Sequence, residues 1–176
     1  TTLANGSHAL VAKAYDAAGN IGTSATVTFS ITNTAGVFSE VESNGTVATA
    51  NGVTRTYTSI RGTMGNTTDK DHFALTVSPG EALSLAMTDP PSTDYDLYLV
   101  NGSDVTLTSS TGGTSTENLA WTNTAASAAT VYAKVISYSG SSTTTPYVIT
   151  IGYAQAAAVE KVLNGGFESG TSSWTQ

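Results

Sequence analysis

The chain of 176 residues contains no cysteine, which excludes disulfides, thiol catalysis and cysteine-ligated zinc. It is poor in positive charge: six Lys and Arg stand against thirteen Asp and Glu, for a formal net charge of -7. Nucleic acid and anionic membrane surfaces are held by clustered Lys and Arg, so neither is an expected partner. No apolar run approaches the ~20 residues that cross a bilayer as a helix, so no membrane span is expected. A basic-then-apolar leader is also missing at Thr1, so a signal peptide is expected to have been removed or to lie upstream. The two histidines, His8 and His72, are far apart in sequence, so the pair of His one helical turn apart that holds a protease zinc is absent. No Gly-x-Ser-x-Gly elbow presents a serine nucleophile, and no glycine-rich loop runs into a helix to cradle a phosphate. The chain is therefore not expected to be an enzyme.

What the sequence does contain is a period of two. Val27, Phe29 and Ile31 alternate with Thr26, Thr28 and Ser30, Phe73, Leu75 and Val77 with Ala74 and Thr76, and Leu83, Leu85 and Met87 with Ser84 and Ala86. The pattern recurs at Leu97 and Leu99, at Val131, Ala133 and Val135, and at Tyr147, Ile149 and Ile151. Such alternation marks half-buried strands, apolar inward and polar outward. Turn signals punctuate them: Pro79-Gly80, Asp89-Pro-Pro91, Asn101-Gly102, Gly112-Gly113 and Ser139-Gly140. The expected fold is an all-β antiparallel sandwich, jelly-roll-like, with three parts along the chain: 1–33, 37–153 and 154–176. The alanine-rich run after residue 153 reads as a linker or a short helical turn. Abundant Ser, Thr, Gly and Asn with few charges fits a secreted, extracellular bacterial module.

Two acidic clusters stand at strand edges: Glu40-Val-Glu42-Ser-Asn44 and Asp69-Lys-Asp71-His-Phe73. Each alternates oxygen-bearing side chains with spacers, and a hard cation such as calcium takes six to eight oxygen ligands. Folded side by side, the clusters would supply many of them; otherwise these acids simply solvate loops and strand edges. Asp94 and Asp96 flank a strand start and read as turn-forming residues in preference to metal ligands. Six tyrosines, Tyr57, Tyr95, Tyr98, Tyr132, Tyr138 and Tyr147, either fill the core or make a surface for a fibrous protein or a polysaccharide. Asn-x-Ser/Thr triplets open at Asn5, Asn44, Asn66 and Asn101, as chance alone supplies in a chain so rich in Ser and Thr.

Three resemblances follow the three parts. Asn5-Gly-Ser-His8 and Ala14-Tyr-Asp-Ala-Ala-Gly-Asn20, with the strand at 25–31, look like the closing hairpin of a bacterial immunoglobulin-like domain. In the main part, the order of motifs resembles the bacterial pre-peptidase C-terminal domain. Glu40, Glu42, Asn44 and Thr46 precede an alanine-rich stretch, and Gly62-Thr-Met64 precedes Asp69, Asp71 and Phe73. Pro79-Gly80 with Leu83, Asp94-Tyr-Asp96-Leu-Tyr-Leu99, Tyr132-Ala-Lys-Val135 and Tyr147-Val-Ile-Thr-Ile151 complete the series. That resemblance implies a calcium-binding β-sandwich lying behind the catalytic domain of a secreted hydrolase or peptidase. It also implies a structural calcium held by Glu40, Glu42, Asn44, Asp69 and Asp71. Gly45 and Thr68 stand where that family often has a further oxygen ligand, which lowers the charge offered to the ion. Finally, Asn164-Gly-Gly-Phe-Glu-Ser-Gly170 with Trp174 looks like the first strand of a carbohydrate-binding jelly-roll module.

These readings imply an accessory segment that aids secretion, stability or substrate attachment, with the parent catalytic domain as its partner. A different class of function is also expected to fit: a filament, matrix or adhesin subunit self-assembled by β-strand addition. Pairing of the strand at 25–31 within its own chain favours the first, and pairing across molecules the second.

Overall fold

The structure, a computed structural model, describes residues 6–31 and 36–155. They belong to two separate units. In the first, β1 (Gly6–Leu10) pairs antiparallel with β4 (Val27–Ile31), and β2 (Lys13–Tyr15) with β3 (Ile21–Thr23), forming one long hairpin. Asp16 closes its tip. One carboxylate oxygen accepts from the Ala18 and Asn20 amides at 3.0 and 2.8 Å, and the other accepts from the Asn20 side chain. Gly19 takes the positive φ of 84° that this turn requires. The strand expected at 25–31 is thus paired within its own chain.

The second unit is the sandwich. Its strands are β5 (Gly36–Ser39), β6 (Asn51–Gly52), β7 (Tyr57–Gly62), β8 (Lys70–Val77), β9 (Glu81–Thr88) and β10 (Asp94–Val100), followed by β11 (Thr106–Ser110), β12 (Thr116–Thr122), β13 (Ala129–Ser139) and β14 (Tyr147–Gln155). The first sheet has the order β11-β10-β13-β8-β6 and the second β12-β9-β14-β7-β5. Pairings are antiparallel except at two edges, where β5 runs parallel to β7 and β6 parallel to β8. Residues 156–176, which hold the jelly-roll-like motif and most of the alanine-rich run, lie outside the described residues.

The alternation places the core. Phe73, Leu75 and Val77 of β8, Leu97 and Leu99 of β10, and Val131, Ala133 and Val135 of β13 form one buried cluster with Leu83, Leu85 and Met87 of β9, Ile60 of β7, and Ile149 and Ile151 of β14. Burying a side chain of this size contributes about 1.5–3 kcal/mol. The tyrosines divide: Tyr95 and Tyr147 are fully buried and meet edge-on with ring centroids 6.0 Å apart, Tyr57, Tyr98 and Tyr132 are half-buried, and Tyr138 is 75% exposed. Two of the six tyrosines therefore fill the core and take no part in an outer surface.

Register fixes two poles. Ser39 of β5 lies opposite Arg61, and Tyr147 opposite Gly62, at one end of the second sheet. Gly36 opposite Tyr57 lies at the other end, toward which β14 runs as it pairs Gln155 with Glu81. The chain therefore enters β5 and leaves β14 at the same pole.

Near that pole, Glu81 is 5% exposed and accepts from the Arg55 guanidinium and from the Ser78 amide. Arg55 also stacks 4.2 Å above the Tyr153 ring. The guanidinium holds the Glu81 carboxyl below its ordinary value. A carboxyl lowered in this way stabilises the fold at pH above its unfolded value, and the contribution is lost as pH falls through the folded value. Arg55 is 44% exposed, so Arg55→Met is expected to cost about 1–2 kcal/mol in urea melts at pH 7, less than the ~3–5 of a fully buried pair. The gap between variant and wild type should close as pH drops below 4.5, the ordinary Glu value.

Candidate metal centre

The acidic loop that follows β5 crosses to β6 in the other sheet. Glu40 continues the parallel pairing, its amide donating to the Arg61 carbonyl at 2.9 Å. Its carboxylate is gripped from two sides: the Thr63 amide donates to one oxygen at 2.7 Å, and the Asn44 side-chain amide to the other at 2.9 Å. Asn44 is wholly buried, and its carbonyl accepts from the His72 amide at 3.1 Å, which ties the loop to β8. Asn51 staples the loop from behind, with its side chain exchanging two hydrogen bonds with the Val41 backbone, each of 2.9 Å. Between them, Thr46 and Thr49 form a reciprocal cap around a short 3-10 turn, Val47–Thr49.

From the other side comes β8, where Asp71 shares the inward parity of Phe73, Leu75 and Val77. It is fully buried. The Tyr147 hydroxyl of β14 donates to Asp71 Oδ2 at 2.6 Å, across the interior from one sheet to the other. Glu40, Glu42 and Asp71 each offer a carboxylate oxygen, and these atoms lie within 4.8 Å of one another. Asn44 Oδ1 and Asp71 Oδ1 are buried without a hydrogen-bond partner. Buried polar atoms are nearly always satisfied, so two such oxygens beside three gathered carboxylates fit a cation that coordinates oxygen.

The electrostatics point the same way. Burial first, then hydrogen bonding with the Glu40 carboxylate and the charges of Glu40 and Asp69, push the Asp71 carboxyl up to about 9 despite the Tyr147 hydrogen bond. Burial, followed by Glu40 and Asp69, also raises Glu42. Asp71 is buried, Glu40 half-buried and Glu42 exposed; like charges gathered around a buried carboxyl destabilise one another unless a proton or a cation joins them. Asp69 sits differently: Oδ2 accepts from the Gly65 amide at 2.6 Å and Oδ1 from the Lys70 amide at 2.9 Å, so it braces the loop before β8 and adds its charge from there.

Of the five expected ligands, the structure gathers Glu40, Glu42 and Asp71, holds Asn44 against Glu40, and places Asp69 on backbone amides. Asn51 and Tyr147 belong to the site but carried no sequence signal tied to it. Gly62 permits the close approach, since a Cβ there would overlap the Tyr147 hydroxyl and stand 2.9 Å from Glu40 Oε2. The nearby His72 ring is 2% exposed and stands 3.5 Å from Asp104; burial lowers its proton affinity.

Tyr147→Phe would leave Asp71 without its hydroxyl donor. The loss expected for a buried acceptor stripped of its partner is about 1–3 kcal/mol, read by chemical denaturation in chelator.

No family model matches the chain, and no curated protein matches it. Among solved structures, a pre-peptidase C-terminal domain of a collagenase from Bacillus anthracis is 12% identical, with a TM-score of 0.42, covering 69% of this chain and 100% of its own. PliG of Aeromonas hydrophila, a periplasmic inhibitor of g-type lysozyme, is 8% identical with a TM-score of 0.45, covering 67% of this chain and 97% of its own.

Proposed function

We propose that the sandwich is a calcium-stabilised, non-catalytic accessory domain of a secreted bacterial protein, a hydrolase or peptidase, and that it aids secretion, stability or substrate attachment. The observation that carries this is the convergence of Glu40, Glu42 and Asp71 within 4.8 Å, beside the unpartnered oxygens of Asn44 and Asp71. The motif order read from the sequence supports the same assignment. A bound calcium supplies two positive charges to a group that otherwise repels itself. Glu40 and Glu42 bring the loop after β5, Asp71 brings β8, and Tyr147 holds Asp71 from β14, so cation binding would tie the opening strand to both sheets. The parent catalytic domain is the partner in this reading, with a fibrous protein or a polysaccharide as the class of substrate attached. Residues 1–33 and 154–176 belong, in the same reading, to neighbouring modules of the parent.

Calcium at 100 times its Kd should stabilise the fold by about 2.7 kcal/mol, a rise in Tm on the order of 10 °C for a domain of this size. Asp71→Asn should abolish the difference between calcium and chelator. Melting curves that coincide across millimolar calcium would remove the site.

A second reading, assembly between chains, draws on the hairpin. Leu10, Tyr15, Ile21 and Val27 are each more than half exposed, and a two-stranded hairpin to which no further strand is paired among the described residues invites addition of another strand. Light scattering behind a sizing column separates the two: a mass near 17.9 kDa supports the accessory domain, and polymers support the subunit.

A further inference from the structure

The outer face of the first sheet, turned away from the core, carries a cleft that nothing above uses. Strand parity builds its floor. His72 alternates with the buried Asp71 and Phe73 of β8, and Tyr132 and Lys134 alternate with the buried Val131, Ala133 and Val135 of β13. Register sets His72 opposite Lys134 and Ala74 opposite Tyr132, so these four share one surface. Two turns stand over it. One is the capped segment after Asn44, tied down where the Asn44 carbonyl accepts from the His72 amide at 3.1 Å. The other follows β10, where Asn101 Oδ1 accepts from the Ser103 and Val105 amides at 2.9 and 3.1 Å and Asp104 takes a positive φ of 57°. β10 itself begins earlier than the sequence suggested: Asp94 and Asp96, read as turn residues, are strand residues paired opposite Ser139 and Ile136.

Between the turns lies a cleft of about 720 Å³, whose lining includes Thr46, Lys70, His72, Ser103, Asp104 and Tyr132. That volume falls within the ~300–1,000 Å³ of small-molecule sites. The Asp104 carboxylate is held in place, since Lys134 Nζ donates to its two oxygens at 3.0 and 2.9 Å. At the floor, His72 is 1% exposed and neither of its ring nitrogens has a hydrogen-bond partner. Asp104 Oδ1 stands 3.5 Å from Nε2, beyond the ~2.7–3.2 Å of an ordinary N–H···O bond. Buried polar atoms are nearly always satisfied, so an imidazole left unpaired at the edge of a polar cleft points to a ligand there. The mouth is open on one side, where a Cβ on Gly102 would meet nothing within 4 Å.

We propose that this cleft binds a neutral saccharide unit, an inference that rests on the substrate-attachment reading above and names the substrate class. The lining suits hydroxyl groups, each of which donates and accepts: Asp104 accepts, Lys70 donates, and the Thr46 and Ser103 hydroxyls do either. Tyr132, half-buried, adds an aromatic side chain with an apolar body and a polar tip. Charge disfavours an anionic polymer, because Lys70 stands beside an Asp104–Lys134 pair and the whole chain carries a net charge of -7. An extended peptide is the poorer fit, since such peptides are held by main-chain hydrogen bonds to a free sheet edge. Here the floor is β8 and β13, which have strands on both sides in the order β11-β10-β13-β8-β6.

The chain supplies its own probe, because His8 and His72 are its two histidines and His8 lies in the hairpin unit. Imidazole signals of the full chain are followed by nuclear magnetic resonance at fixed pH, with His8→Gln assigning them. Chitohexaose, cellohexaose and maltohexaose are added in turn at millimolar concentration. At least one is expected to move the His72 signals and leave those of His8 in place, and Tyr132→Val and Asp104→Asn should each weaken that binding at least tenfold. Circular dichroism reports whether the variants fold; should Tyr132→Val unfold the chain, Asp104→Asn, on an exposed turn, decides alone. Still His72 signals with all three sugars, or a shift indifferent to the substitutions, overturn the proposal. A shift produced only by a collagen-like triple-helical peptide overturns it too, in favour of a fibrous protein. Melting curves with calcium and with chelator keep the two readings apart. Stabilisation by calcium without any saccharide effect removes the cleft and leaves the cation site, and saccharide binding without stabilisation does the reverse.

Discussion

Asp71 sets the terms for the pole at which it sits. Its carboxyl lies between the two sheets, out of water, with Glu40 and Glu42 gathered against it and the Tyr147 hydroxyl as its hydrogen-bonding partner. An arrangement of that kind is tolerable only when a proton or a cation occupies it. Around it the rest follows: Gly62 has no side chain because Tyr147 and Glu40 fill the space, Asn44 is buried so as to grip Glu40, and Asn51 holds the loop closed from behind. The gathered carboxylates stand where the opening strand passes from one sheet to the other, so in the proposed reading a bound cation would join the two sheets at that point.

The same pole also carries Asp89, Asp94, Asp96 and Glu117, of which Asp89, Asp96 and Glu117 are buried. Tyr95 and Tyr147 meet there edge to face. Tyr147 donates to Asp71, and the backbone of Tyr95 donates to Asp89.

Much of this was legible from alternation, and the gaps have physical reasons. Strands β8, β9, β10, β13 and β14 were visible because each turns every second apolar residue inward. β6, two residues long, and β11, whose Thr and Ser side chains lie at a sheet edge, carry no such stripe, and nor does the short β5. Parity also held information about the acids. Asp71 falls in step with Phe73 and Leu75, Glu81 with Leu83 and Leu85, and Glu117 with Leu119, so each is carried inward by its strand. What parity does not reveal is the partner brought from elsewhere in the chain: Arg55 for Glu81, Tyr147 for Asp71, Ser110 for Glu117. Those pairings depend on sheet order, and the parallel edges β5–β7 and β6–β8 are long-range choices that no local pattern specifies.

The register that puts the start of β5 and the end of β14 at one pole has a mechanical consequence. Tension applied to the chain on either side of the sandwich enters at that pole, so it peels β5 from β7 one hydrogen bond after another from Gly36 onward. The last bonds to be loaded are those at Ser39 and Glu40, beside the acidic cluster at the far end. A strand anchored in this order resists extraction with its final contact, the one that lies beside the gathered carboxylates.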